Sequence, residues 1–184
     1  MVPPVFETYF ATIVGASAAL VGLLFVAISI APERTVRPEA PLEQQAMATS
    51  CFIALCNPFF IALMALIPSL DLKVVGMTTL AVSTMGLMNT CILGWFLLRH
   101  LSGWRNAVRR SAFVLISLAL YGGEFYIGMQ LNSHAASATF SWLALMLVGL
   151  NALGLSRAWD LLGAHRYRFQ DLLTRPKKEE THQE

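Results

Sequence analysis

The sequence predicts an all-α integral membrane protein, a bundle of five transmembrane helices. Two observations support this prediction: five long apolar segments, and an uneven distribution of basic residues between them. Of the 184 residues, 56% are hydrophobic and only 13% are charged, against about 25% charged residues in ordinary soluble domains. A helix needs about 20 apolar residues to cross the hydrocarbon of a bilayer. The predicted spans cover residues 9–31, 46–69, 74–98, 111–131 and 139–158.

The connections between the predicted spans are short, so neighbouring helices should be adjacent and antiparallel. The first span is interpreted as a retained helix, because no Lys or Arg precedes it and its apolar run is longer than a signal peptide requires. Prolines in the loop after it cannot continue a helix. Asp71 and Lys73 lie in a predicted tight hairpin between the second and third spans. After Trp159 a short interfacial helix is expected, which completes a domain of residues 1–175, and residues 176–184 form a predicted disordered tail.

The basic residues predict the orientation. With five spans, twelve of the thirteen Lys and Arg residues fall on one side of the membrane, and Lys73 alone falls on the other. Arg157 is counted among the basic residues of the tail, at the membrane surface, and Glu124 is the only acidic or basic side chain predicted deep in any span. Because cytoplasmic loops carry the excess of Lys and Arg, the N-terminus is predicted outside and the C-terminus in the cytoplasm. Four of these side chains are expected to contact anionic lipid headgroups at the cytoplasmic face, namely Arg99, Arg105, Arg109 and Arg110.

The first span carries small residues on one face. They recur at spacings of three and four residues, which lets another helix approach closely. These helix-packing candidates are Ala11, Gly15, Ala18, Ala19 and Gly22. The partner is either a helix of the same chain or a helix of another chain, which predicts a homo-oligomer or a membrane protein partner.

The stretch from Gly15 to Ser29, GASAALVGLLFVAIS, resembles the opening helix of a family of small uncharacterised bacterial multipass membrane proteins. The resemblance covers about one helix and contains no catalytic motif. It implies a bacterial inner membrane as the location.

The other four spans each place a strongly polar side chain near mid-depth. Asn57, Asn89, Glu124 and Asn151 all fall within about 5 Å of the bilayer centre at 1.5 Å per residue. Tyr121 lies one turn before Glu124, on the stripe of residues predicted to face inward. Intramembrane ionisable residues usually face the bundle and mark function. Such amides and carboxyls also brace helices structurally, so both interpretations stay open.

No enzyme is predicted, and neither a cofactor nor a metal site is expected. The sequence contains no nucleophile elbow, phosphate-binding loop or His pair with metal-binding spacing. Basic residues beside membrane spans are typical of lipid contact rather than nucleic-acid binding. The favoured function is a non-catalytic membrane partner or regulatory subunit assembled through the first helix. The alternatives are an ion channel or proton-linked transporter using Glu124, and then a membrane enzyme at the cytoplasmic interface.

The orientation can be tested with topology reporters. A reporter fused after Glu184 should report a cytoplasmic location, and one inserted beside His134 should report an external location, because the basic residues are so unevenly divided. Two reporters on the same side of the membrane would contradict the five-span topology.

Overall fold

The computed structural model describes residues 2–30, 42–99, 104–133 and 137–161, and the regular structure within these ranges is entirely helical. Five helices in these ranges are long and apolar enough to cross a membrane, which confirms the predicted all-α class. A 3-10 turn at Pro4–Phe6 leads into the first of them. The helices are α1 (Glu7–Ile30), α2 (Leu42–Ala65), α3 (Leu72–Arg99), α4 (Trp104–Ser133) and α5 (Ser137–Leu161).

The helices extend beyond several predicted spans. The predicted fourth span begins at residue 111, where the apolar run begins, whereas α4 begins at Trp104. The helical backbone continues through the arginine-rich segment before that run, because hydrogen bonding within a helix does not require apolar side chains. The proline-containing first loop, the predicted interfacial helix and the predicted disordered tail lie outside the described residues.

The predicted hairpin between α2 and α3 is confirmed. Only residues 66–71 separate the two helices, and Ser69 adopts a positive φ of 61°, a conformation that non-glycine residues adopt mainly in turns. Asp71 ends the turn: its Oδ1 accepts the backbone N–H of Lys73 at 3.2 Å. A carboxylate at this position satisfies a donor that the first turn of a helix leaves free.

Helix α2 is the central helix of the bundle. Half of its most apolar stretch is buried, against 17% for α1. It packs against α1, α3 and α5, while α3 and α4 pair along their length and α4 also packs on α5. The bundle end that holds the N-terminus contains the largest apolar cluster. Its fully buried members include Phe10, Ile61, Val75, Leu143 and Leu147.

Two close approaches between α3 and α4 depend on glycine. A Cβ at Gly128 would lie 3.1 Å from the backbone nitrogen of Leu80, so the two backbones nearly touch there. A Cβ at Gly86 would overlap the ring of Tyr121. The absence of a side chain at Gly86 is therefore what lets Tyr121 lie buried between the helices.

Replacement of Gly86 by alanine should destabilise the bundle. The added methyl group would displace the Tyr121 ring, and overpacking of this kind costs about 1–3 kcal/mol. Gly122→Ala is the matched control, because nothing lies within 4 Å of a Cβ at that position. The unfolding temperature in mild detergent should fall for Gly86→Ala and stay level or rise for Gly122→Ala. Equal unfolding temperatures would contradict this packing.

A buried polar core as the candidate functional site

The centre of the bundle contains a hydrogen bond between α2 and α4. Asn57 and Glu124 are both fully buried, and Asn57 Nδ2 donates to Glu124 Oε2 at 2.7 Å. The backbones of these two helices approach each other at few points in the described residues. Two side chains that the sequence places at the same depth are therefore directly bonded, and the bond joins the central helix to the α3–α4 pair.

This pair is not fully satisfied. Asn57 Oδ1 and Glu124 Oε1 are buried and have no hydrogen-bond partner among the described residues. A buried polar group left without a partner costs about 1–3 kcal/mol. Pro58, directly after Asn57 in α2, also lacks the N–H that would bond to the carbonyl of Ala54. Two buried oxygens without a partner among the described residues, and a carbonyl that lacks its usual helical donor, thus lie beside the Asn57–Glu124 bond.

A second polar contact joins α1 to α5. Ser17 is fully buried, and its Oγ donates to Asn151 Oδ1 at 3.1 Å. Nearer the N-terminal end of the bundle, the hydroxyl of Tyr9 donates to the carbonyl of Ala144 at 2.6 Å. These bonds fix which face of α1 points inward.

Arg157 is buried inside the bundle, so its prediction as a surface charge is wrong. Only 2% of its surface is exposed. Its Nη2 donates to Ser117 Oγ at 2.8 Å, and that hydroxyl donates to the carbonyl of Phe113 at 2.8 Å. The Phe113 ring lies over the guanidinium, 3.9 Å from ring centre to Cζ. Glu124 is therefore not the only ionisable group enclosed by the helices.

Tyr121 lies between the two charged residues. Ser117 and Glu124 are seven residues apart on α4, about 10 Å along the helix, and Tyr121 lies between them on the same buried face. Its hydroxyl is buried and has no hydrogen-bond partner in the described part of the chain. The predicted inward-facing stripe of α4 is thus confirmed, and its polar side chains Ser117, Tyr121 and Glu124, together with Arg157, are called the polar column below.

The remaining candidate residues lie away from this column. Asn89 is half-buried on α3 and makes no side-chain hydrogen bond within the described ranges, so it is not brought to the Asn57–Glu124 pair. All five small-residue positions of α1 are exposed, which excludes packing against the described helices of the same chain. The side chains of the four headgroup arginines lie outside the described part of the structure.

Sequence reasoning missed Ser17 and Arg157 as parts of the polar core. Ser17 shares a helical face with the buried Phe10, Ile13 and Leu24. This helical spacing is the sequence signal that could have predicted the burial of Ser17. Arg157 lies within the apolar stretch Thr139–Trp159, but its position near the end of that stretch is equally typical of a surface charge. Its burial depends on Ser117 and Phe113 of another helix.

A surface cleft lies between α4 and α5. It has a volume of about 340 Å³ and is lined by residues that include Tyr126, Gln130 and Trp142. A neighbouring cleft of about 400 Å³ shares Tyr126 and Gln130. Neither cleft is lined by Glu124 or Arg157. Within the described ranges, no three His, Cys, Asp or Glu side chains are grouped to hold a metal ion.

The five apolar helices around a polar core define the class of this protein, a multipass helical membrane protein. Comparison with protein-family models, curated proteins and solved structures finds no match.

Substitution of Glu124 should separate hydrogen bonding from charge. A glutamine at this position keeps an oxygen that can accept the Asn57 Nδ2 bond, so Glu124→Gln should change folding little. Glu124→Leu should lower stability by about 1–3 kcal/mol, because it leaves buried Asn57 without a partner. The yield of assembled protein and its unfolding temperature measure both effects. A marked loss for Glu124→Gln, with none for Glu124→Asp, would show instead that the fold requires the charge.

Proposed function

We propose that this chain is a non-catalytic subunit of the bacterial inner membrane that assembles with other membrane helices through the small-residue face of α1. This face consists of Ala11, Gly15, Ala18, Ala19 and Gly22. A second copy of the chain is the first partner to test, and a different membrane protein is the other. The N-terminus lies outside and the C-terminus in the cytoplasm, in accord with the distribution of basic residues.

The observation that carries the proposal is the position of this face on α1. The opposite face contacts the bundle through Phe10, Ile13, Ser17 and Leu24, which are all buried. A Cβ at Gly15 or Gly22 would have no atom of the described residues within 4 Å. The small residues therefore do not serve close packing within the described part of the chain.

Small residues are informative here because of how membrane helices associate. Lipid tails are as apolar as leucine, so helix pairing depends on close van der Waals packing, which small side chains permit. A helix that needed only to face lipid would have no need of a smooth, small-residue stripe. Larger exposed side chains, Leu23 and Phe25, flank the stripe and would border an approaching helix on both sides.

A second candidate function is an ion channel or proton-linked transporter that uses Glu124. The observation that favours it is the polar column, in which Glu124, Tyr121 and Arg157 follow one another between the helices with several polar atoms unpaired. Buried ionisable residues of this kind line proton and ion pathways in membrane proteins. The full burial of Glu124 and its bond to Asn57 fit structural bracing equally well, so this candidate ranks second.

Bulky substitutions on α1 test the proposed assembly. Gly15→Leu and Gly22→Leu should hold helix backbones apart and reduce the size of the purified complex in mild detergent. Ala16→Leu is the matched control, because Ala16 is small and exposed on the same helix but lies off the stripe. Size should be measured by light scattering during size-exclusion chromatography. An unchanged size for both glycine variants would contradict assembly through this face.

Flux measurements on the same protein variants in sealed vesicles distinguish the proposed subunit from the channel or transporter. A subunit without a pathway should show no flux of protons or small cations, in the unmodified protein or in any variant. Flux in the unmodified protein that disappears in Glu124→Leu, while the complex keeps its normal size, would replace the proposed function with the transport function.

A further inference from the structure

We propose that Arg157 forms a buried binding site for one small monovalent inorganic anion, of the size of chloride. This site is independent of the proposed assembly through α1, because it lies inside the bundle between α4 and α5. The inference rests on the donors around Arg157 and on its burial.

The guanidinium of Arg157 has more donors than partners. It carries five N–H groups, and among the described residues only Nη2 has a hydrogen-bond partner, Ser117 Oγ. Nε and Nη1 are buried without a partner in the described part of the chain. The hydroxyl of Ser117 donates its own proton to the carbonyl of Phe113. Its oxygen accepts a hydrogen bond from Nη2, which leaves Nε and Nη1 of Arg157 unsatisfied in the described residues.

The positive charge of Arg157 also has no charged partner among the described residues. An isolated cation inside a low-dielectric region is unfavourable unless an opposite charge accompanies it. No carboxylate bonds to Arg157 in the described ranges, and Glu124 has Asn57 as its partner. The Phe113 ring over the guanidinium attracts the cation but does not neutralise it.

A further buried donor lies one helical turn along α4 from Ser117, the partner of Arg157. The hydroxyl of Tyr121 is buried and has no hydrogen-bond partner among the described residues. The unsatisfied groups on Arg157 and on this neighbouring turn are therefore N–H and O–H donors. Hydrogen-bond donors on a positively charged side chain can bind an anion. They cannot bind a metal ion, because a metal ion needs electron-pair donors such as carboxylates.

The single charge and the burial of Arg157 determine which type of anion fits this site. A single charge is neutralised by a monovalent ion, and the 2% exposure of Arg157 excludes a headgroup that remains attached to its lipid. Arg157 lies four residues before the end of α5, about 6 Å along the helix. Chloride would thus have a short path from the aqueous phase at that end of the bundle.

Unfolding temperatures of the purified chain in uncharged detergent test the site. Sodium chloride should be compared with sodium gluconate at equal ionic strength, because gluconate is too large to enter. Binding to the folded state should raise the unfolding temperature by roughly 3 °C or more at saturating chloride. Arg157→Met should abolish the rise, and Lys73→Gln, which removes an exposed cation, should keep it in full.

Equilibrium binding of radioactive chloride to the unmodified protein gives a second measurement that does not depend on the folding of a variant. A single saturable site per chain, lost in Arg157→Met, is expected. Arg157→Met should still fold, because replacement of a buried ion by an apolar residue is often neutral or stabilising. Absence of saturable binding by the unmodified protein would overturn the proposal. Stabilisation in gluconate by added phosphatidylglycerol, dependent on Arg157, would overturn it in favour of a lipid headgroup.

Discussion

The bundle depends on the rule that polar groups enclosed by membrane helices must find partners inside the protein. The Asn57–Glu124 hydrogen bond meets this rule at the centre, where the most buried helix faces α4. It connects α2 to the α3–α4 pair across a region where the backbones have little direct contact. Loss of one partner would leave the other buried and unpaired, so this bond makes the relative position of α2 and α4 specific.

The two faces of α1 follow from the same rule. Ser17 has its partner Asn151 inside the bundle, and this fixes the rotation of the helix. Once Ser17 points inward, the small residues on the opposite face must point outward. The proposed assembly face is thus a consequence of an internal hydrogen bond as well as of the small residues themselves.

Much of the architecture could be predicted from the sequence, because span length and hydropathy reflect local physics. The five helices, the hairpin at Asp71 and the inward-facing stripe of α4 all follow from segment length and helical periodicity. The segment midpoints and the rise per residue also placed Asn57 and Glu124 at one depth, but depth alone does not determine which polar groups form hydrogen bonds. Asn89 shares that depth and lies apart from the pair.

The burial of Arg157 could not be predicted from its local sequence. Its sequence neighbourhood fits a charge at a membrane surface, and its burial is decided by a hydroxyl and a ring forty or more residues earlier in the chain. The packing partner of α1 also cannot be determined from local sequence. The spacing of the small residues indicates close packing, but only the arrangement of the other helices shows that the described part of the chain does not provide it.

The central claim is that the Asn57–Glu124 contact holds the bundle together, and a double-mutant cycle tests it most directly. Asn57→Leu and Glu124→Met replace each side chain with an apolar one of similar size, and the free energy of unfolding is measured for both single variants and the double variant. Each single change should destabilise the protein, and the double variant should lose less than the sum, with a coupling on the order of 1 kcal/mol. Strictly additive losses would contradict the claim.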